Sequence, residues 1–294
     1  MEHLVSAIIT THNRKSLVIR AIGSILNQTY NNIEIIIVDD ASNDGTKSLV
    51  EEIFIGNSFI YIYIENSKGG NYARNIGISK AHGKYIAFLD DDDEWIKTKI
   101  EKQVDFLEKN TDYACISCSR IMEFDFSTIE IIPNDVFPVD GDMSKAIWNC
   151  NALVSSTLMF RTDFIKSIGN FDEDLVAWQD YELLLRSAQK TFIGVIREPL
   201  VLYRSITSDK NRITNNMTKW ERAIDYILRK HKYTFELLPF CVKKDFFKLV
   251  ANDGYARACT NRSIVKKIKY LYKLFAIEPS IKSFVRIFYR LVVS

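Results

Sequence analysis

The sequence predicts an α/β protein, a mainly parallel sheet flanked by helices with a C-terminal helical region after it. Short apolar runs alternate with helix-spaced segments through the first ninety residues, a strand–helix–strand rhythm. Those runs are apolar on both faces, as strands covered by helices on both sides must be. Beyond Asn211 the spacing is helical only, interrupted at Pro239 and Pro279.

Leu4–Thr10 reads as the first buried strand. Asn13 is placed to cap a helix whose apolar stripe is Leu17, Ala21, Ile25 and Leu26. Ile33–Val38 is a second strand ending on Asp39-Asp40; Asn43-Asp44-Gly45 then turns into a helix running to Ile55. Phe59–Ile64 is a third strand, Asn71–Ala81 a helix and Tyr85–Leu89 a fourth strand. A helix over Ile96–Lys109 and strands at Ala114–Arg120 and Thr128–Ile132 come next. The pattern continues with a helix after Asp142, a strand over Ser156–Phe160 and a helix from Tyr181 to Lys190. We place one domain at residues 1–210 and a helical, basic region at 211–294.

The composition is that of an ordinary globular chain, with 47% apolar and 26% charged residues. Five cysteines do not make a disulfide framework, and Cys115 and Cys118 read as buried core thiols in a reducing compartment. The start has no secretory-signal character, and no apolar stretch is long enough to span a bilayer. We therefore expect a cytoplasmic protein. From Arg262 to Ser294 eight Lys/Arg face one acid, Glu278, so the tail carries +7 and the rest of this +2 chain carries −5.

Ligands of parallel sheets bind at the carboxyl ends of the strands. Three polar clusters fall there: Thr11-His12-Asn13, Asp39-Asp40 and Asp90-Asp91-Asp92-Asp93. Four adjacent carboxylates repel one another, and a divalent ion held by one or two of them, with phosphate oxygens completing its shell, relieves that repulsion. A solvated acidic loop capping the next helix is the plainer account, and Asp39-Asp40 on a neighbouring strand counts against it. His12 and His82 read as packing and capping residues.

Five segments in order, Ser6–Arg14, Ser24–Tyr30, Ile37–Thr46, Ala73–Gly77 and Ala87–Trp95, resemble the family 2 glycosyltransferases of the GT-A fold. The resemblance continues at Ser156–Arg161, Ile168–Glu173 and Gln179–Leu183 and covers Leu4 to Arg204. It implies a Rossmann-like sheet and an inverting, metal-dependent hexosyltransferase that uses Mn²⁺ or Mg²⁺. Thr11 and Asp39 would line the nucleoside pocket, and Arg74 would contact the diphosphate. Asp90 matches the first acid of the D-x-D motif, near ribose and metal, and Asp92 the second, a direct metal ligand. Asp91 stands where relatives carry a small residue, and we place it with the nucleotide-sugar contacts. Asp180 matches the catalytic base, with an N-cap as its structural alternative. Two departures stand out: Gln179 replaces an acid, and the histidine that often follows Tyr203-Arg204 is absent.

The tail mixes Ile264, Ile268, Leu271, Leu274 and Phe275 with Lys266, Lys267, Lys269 and Lys273, followed by Phe284–Arg290. That pattern suits a helix on an anionic inner leaflet, or equally a helix packed on the catalytic domain. The partners expected are a UDP-sugar donor, UDP-glucose as the choice among donors, and a GlcNAc-ended glycan on undecaprenyl diphosphate, as in O-antigen assembly. Nucleic acid is not expected, because no aromatic platform is interleaved with the cations. A non-catalytic sugar- or nucleotide-binding module is the competing class.

Overall fold

The computed structural model describes residues 2–124, 128–132, 140–205 and 216–280. Contacts divide these into two units, one drawn from 1–143, 152–173 and 179–207, the other from 144–151, 174–178 and 208–294. Phe284–Arg290 and the positions after Ser205 where a histidine was sought lie outside the described residues.

The first unit opens with β1 (Val5–Thr11), α1 (Lys15–Leu26), β2 (Ile33–Asp39), α2 (Thr46–Ile53), β3 (Ile60–Tyr63), α3 (Gly70–Lys80) and β4 (Tyr85–Asp90). These strands pair in parallel in the order β3-β2-β1-β4. Ala7, Ile9, Ile35, Ile37, Ala87 and Leu89 share one core with Val18, Ala21, Ile22 and Ile25 of α1. On the other face Gly77 brings α3 down onto β1, since a Cβ there would lie 2.4 Å from Ile8 Cγ2. This half matches the sequence reading, with one correction. Asn13 does not cap α1; it adopts φ 53 and its side chain accepts from the Asn43 N–H at 2.8 Å, tying the first loop to the second.

After β4 the chain stops repeating strand and crossover helix, and antiparallel pairs enter. The further elements are β5 (Glu94–Trp95), α4 (Lys99–Lys109), β6 (Tyr113–Phe124), β7 (Thr128–Ile132), β8 (Met159–Arg161), α5 (Thr162–Ser167), α6 (Gln179–Ala188) and β9 (Phe192–Ser205). β8 lies antiparallel between β4 and β6, while β9 runs parallel to β6 and antiparallel to β5. The strand expected over Ser156–Phe160 is a 3₁₀ turn, Ser155–Thr157, that leads into β8, and the helix expected after Asp142 is a 3₁₀ turn at Ala146–Asn149. Long β9 was not anticipated. Pro199 lies within it, and the β6–β9 register shifts on either side of the Ser119–Pro199 pair, as expected where a donor is missing from the ladder.

The second unit is helical, with α7 (Met217–Lys230), α8 (Lys232–Glu236), α9 (Phe240–Thr260) and α10 (Ile264–Ile277). Trp148 packs edge-on against Phe246 and beside Phe235, and Trp220 packs against Tyr270 and Trp178. Gly254 lets α10 close on α9, because a Cβ there would sit 2.5 Å from the Tyr270 ring. Glu221 of α7 accepts from Lys266, Lys269 and Tyr270 of α10.

Candidate active site

Strand register brings the first acids together: Thr10 pairs with Asp90 and Thr11 with Asp39. The Asp39 carboxylate is buried, accepting from the Ser42 N–H at 2.8 Å and the Tyr61 hydroxyl at 2.5 Å. Burial and then Asp39 itself push the Tyr61 phenol far up, so Tyr61 stays a donor. Asp40 turns the other way, accepting from Ser67 Oγ, the Lys68 N–H and the Gly69 N–H at 2.7–2.8 Å. This pins the loop that starts α3, the helix that carries Arg74. The His12 ring bonds the Asp40 carbonyl, the packing role expected of it.

The acidic turn alternates. Asp91 and Asp93 are buried, whereas Asp90 and Asp92 keep surface open to solvent. Asp91 accepts from Thr11 Oγ1 at 2.8 Å and from Arg14 at 2.9 Å, and burial pushes its carboxyl up to about 6. Asp93 accepts from Ser156 Oγ at 2.5 Å and the Arg204 N–H at 3.1 Å. Burial, then Asp92 and Asp90, raise its carboxyl well above the usual range. Arg14 also reaches Asp92 at 3.2 Å, and Arg74 donates to Asp90 at 2.6 Å. The repulsion foreseen in the sequence is therefore met in part by the protein's own guanidiniums.

Asp180 opens α6 and is held by Ser155, whose hydroxyl donates to its Oδ1 and whose backbone N–H also donates. Burial raises its carboxyl, with Arg74 pulling the other way. Arg74 is the common neighbour: burial disfavours its charge, but Asp90 and Asp180 more than offset that. Its guanidinium also lies 5.3 Å from the Phe171 ring, and Phe171 is fixed to α3 by paired bonds with Asn75.

The 3₁₀ turn joins these parts. Ser155 holds Asp180, while Ser156 donates to Asp93, accepts from the Asp90 N–H at 3.1 Å and offers its carbonyl to Trp95 Nε1 at 2.9 Å. Behind it, Gln103 donates to the Thr157 carbonyl and accepts from fully buried Lys99 at 2.7 Å. Lys99 sits 4.2 Å above the Trp95 ring, and burial lowers its ammonium to about 8. Arg14, Tyr61, Ser155 and the role of Asp40 were missed from sequence. Only the doubled Asp39-Asp40 offered a signal.

Among the described residues no three His, Cys, Asp or Glu side chains converge as a ready-made metal site. Two partly exposed carboxylates, Asp90 and Asp92, nonetheless fit a hard divalent ion that takes its remaining oxygens from phosphate and water.

Residues 6–168 match the family described as Glycosyl transferase family 2. The chain is 28% identical over 269 residues to the amylovoran biosynthesis glycosyltransferase AmsB of Erwinia amylovora, spanning 86% of this chain and 89% of that one. It is 34% identical over 187 residues to the UDP-Glc:alpha-D-GlcNAc-diphosphoundecaprenol beta-1,3-glucosyltransferase WfaP of Escherichia coli, 64% of this chain and 71% of that one. Solved structures with a similar course include S. aureus TarS in complex with UDP, with TM-score 0.60, 17% identity and coverage of 95% and 91%. The mannosyltransferase PcManGT from Pyrobaculum calidifontis, in complex with GDP-Man and Mn2+, gives TM-score 0.65 at 16% identity with coverage of 100% and 81%. At such identities the likeness is one of fold, and that fold is GT-A.

Proposed function

This chain belongs to glycosyl transferase family 2, and on that premise we propose that it moves glucose from UDP-glucose, with inversion, to a GlcNAc-ended glycan on undecaprenyl diphosphate during O-antigen or related surface polysaccharide synthesis. The observation that carries the reading is the gathering of Thr11, Asp90–Asp92 and Asp180 around two guanidiniums, Arg14 and Arg74, and one 3₁₀ turn. The relatives named for glucosyl transfer to a diphosphoundecaprenol acceptor support the choice of donor and acceptor.

In this reading Thr11 and Asp39 line the nucleoside pocket, Asp39 through lone pairs left beside its bonds to Ser42 and Tyr61. Arg74 turns part of its fork from Asp90 to the diphosphate, which it can pair bidentately. Asp92 and Asp90 hold Mn²⁺ or Mg²⁺, which when bound offsets the charge on the departing nucleotide diphosphate. Asp180 takes the proton of the attacking acceptor hydroxyl; a carboxyl raised by its surroundings is a better base than a free one. Asp91, placed with the nucleotide-sugar contacts, acts there through Thr11, whose hydroxyl it holds, and supports the turn from within. A lipid-borne acceptor sits at a bilayer, so contact with an anionic inner leaflet belongs to the same reading.

The test is release of UDP from a panel of UDP-sugars with a synthetic GlcNAc-diphosphate lipid and Mn²⁺ or Mg²⁺. UDP-glucose should turn over fastest, and Asp92→Ala should abolish release. Donor binding without turnover on any acceptor would favour the non-catalytic module, and preference for another UDP-sugar would move the donor assignment.

A further inference from the structure

α10 has two working faces. Tyr270 and Leu271 are buried in the helical unit, closed over Gly254 and anchored to Glu221. A second apolar face has no such cover among the described residues: Ile264 is 70% exposed, Val265 79%, Ile268 52% and Tyr272 71%. At 100° per residue these four fall within one sector about a quarter to a third of a turn wide. Exposed Lys269 and Lys273 border that sector, and α10 contains no acid. Of the apolar residues picked out in the sequence, Leu271 faces the core while Ile264 and Ile268 face out, and Val265 and Tyr272 join them.

We propose that this face of α10 docks on an anionic lipid bilayer, lying parallel to the surface with Ile264, Val265, Ile268 and Tyr272 among the acyl chains and Lys269 and Lys273 at the headgroups. Charge selects the occupant. A second copy of the chain would set the lysines of one α10 against those of another, whereas an anionic leaflet answers both the apolar stripe and the exposed lysines that border it. A tyrosine at one end of the stripe suits the interfacial region, where an apolar ring and a polar hydroxyl are both accommodated. Lys266 and Lys269 already meet Glu221, so they help hold α10 to α7, while Lys273 is exposed with its ammonium 5.2 Å from the Tyr270 ring. The inference deepens the membrane contact of the proposed function, yet vesicle binding is measured without donor, acceptor or turnover, so either can fail alone.

The experiment is co-sedimentation of the full chain with vesicles of phosphatidylglycerol and phosphatidylethanolamine, and with phosphatidylcholine alone. Binding to the anionic vesicles is expected, weakened at least tenfold by 0.5 M salt (roughly a 3 Å Debye length is reached near 1 M) and weak on phosphatidylcholine. The triple substitution Ile264→Ser, Ile268→Ser, Tyr272→Ser should lower partitioning about tenfold or more, and Lys273→Glu by a smaller factor, with melting temperatures unchanged because these side chains face out. Equal binding of the triple variant, equal binding to neutral vesicles, or no binding by the unaltered chain would overturn the proposal. So would concentration-dependent self-association that the triple variant abolishes in the absence of vesicle binding.

Discussion

Ser155 gives Asp180 a hydroxyl and a backbone N–H, and only the first can be removed by mutation. A hydrogen bond to a charged group contributes about 1.5–3 kcal/mol. Ser155→Ala frees the Asp180 carboxyl to turn and raises it further, so less of it is ionised at neutral pH. There kcat should fall roughly tenfold or more and recover in part as pH rises, while the KM for the donor stays nearly unchanged, since Ser155 touches none of the residues assigned to the nucleotide. Ser155→Thr, which keeps the hydroxyl, should recover most of the rate; parallel loss of donor affinity in steady-state kinetics would point to a structural role instead. Lys99 makes a different case. Its ammonium is lowered by burial to about 8 from an ordinary 10.5, so the unfolded chain binds that proton more tightly. Stability must then rise with pH between those two values, by about 2 kcal/mol from pH 7.5 to 9.5 on the linkage relation. Denaturant unfolding at both pH values should show this rise in the wild type and a smaller one in Lys99→Met. Neither residue was legible in the sequence. Thr11, Arg74 and the acids lie in local motifs, whereas Ser156 meets Asp93 across 63 positions and Arg14 meets Asp91 across 77, pairings that only the folded sheet creates.

Elements that repeat a simple physical rule could be read; those that break it could not. β1 to β4 are continuous apolar runs separated by amphipathic helices, so their order and parallel pairing followed from periodicity. Ser156-Thr157 reads as the start of an apolar strand because Leu158-Met159-Phe160 follow; in the fold the Ser155–Thr157 side chains are buried in a turn, satisfied by partners from Ser117, Asp93 and Asp180. β9 was hidden by Arg197-Glu198-Pro199 in its middle, which reads as a loop. Between such cases stands α3, whose position hangs on Gly77. A methyl there meets Ile8 at a distance no carbon tolerates, and overpacking of this kind costs about 1–3 kcal/mol. Gly77→Ala should lower the melting temperature and also weaken donor binding, because Arg74 lies less than one turn away on the same helix. Thermal melts and donor titration together check it, and a destabilised variant with unaltered donor affinity would show that α3 moves without carrying Arg74.

At the scale of the molecule, the candidate site draws on β1, β2, α3, the turn after β4, the 3₁₀ turn and α6, so the segments proposed to hold donor and ion also support the sheet. Binding to such a site stabilises the folded unit as a whole. The gain is about 2.7 kcal/mol when ligand is at roughly a hundred times its dissociation constant, or about 5–10 °C in melting temperature for a unit of this size. The acidic turn decides how that gain divides. Asp90 and Asp92 are the carboxylates left at the surface, while Asp91 and Asp93 face inward with their own partners. UDP with Mn²⁺ should therefore raise the melting temperature more than UDP or Mn²⁺ alone. Asp92→Asn should lose that cooperative part and keep the smaller shift from UDP, whose nucleoside we assign to Thr11 and Asp39. Asp91→Asn should behave in the opposite way: burial disfavours the charge there more than Arg14 and Thr11 favour it, so the neutral amide should raise the melting temperature of the unliganded protein at neutral pH, yet it keeps the cooperative shift. If differential scanning fluorimetry instead gave the two variants the same profile, the inward and outward carboxylates would not have separate tasks, and the assignment of ion binding to Asp92 would have to be withdrawn.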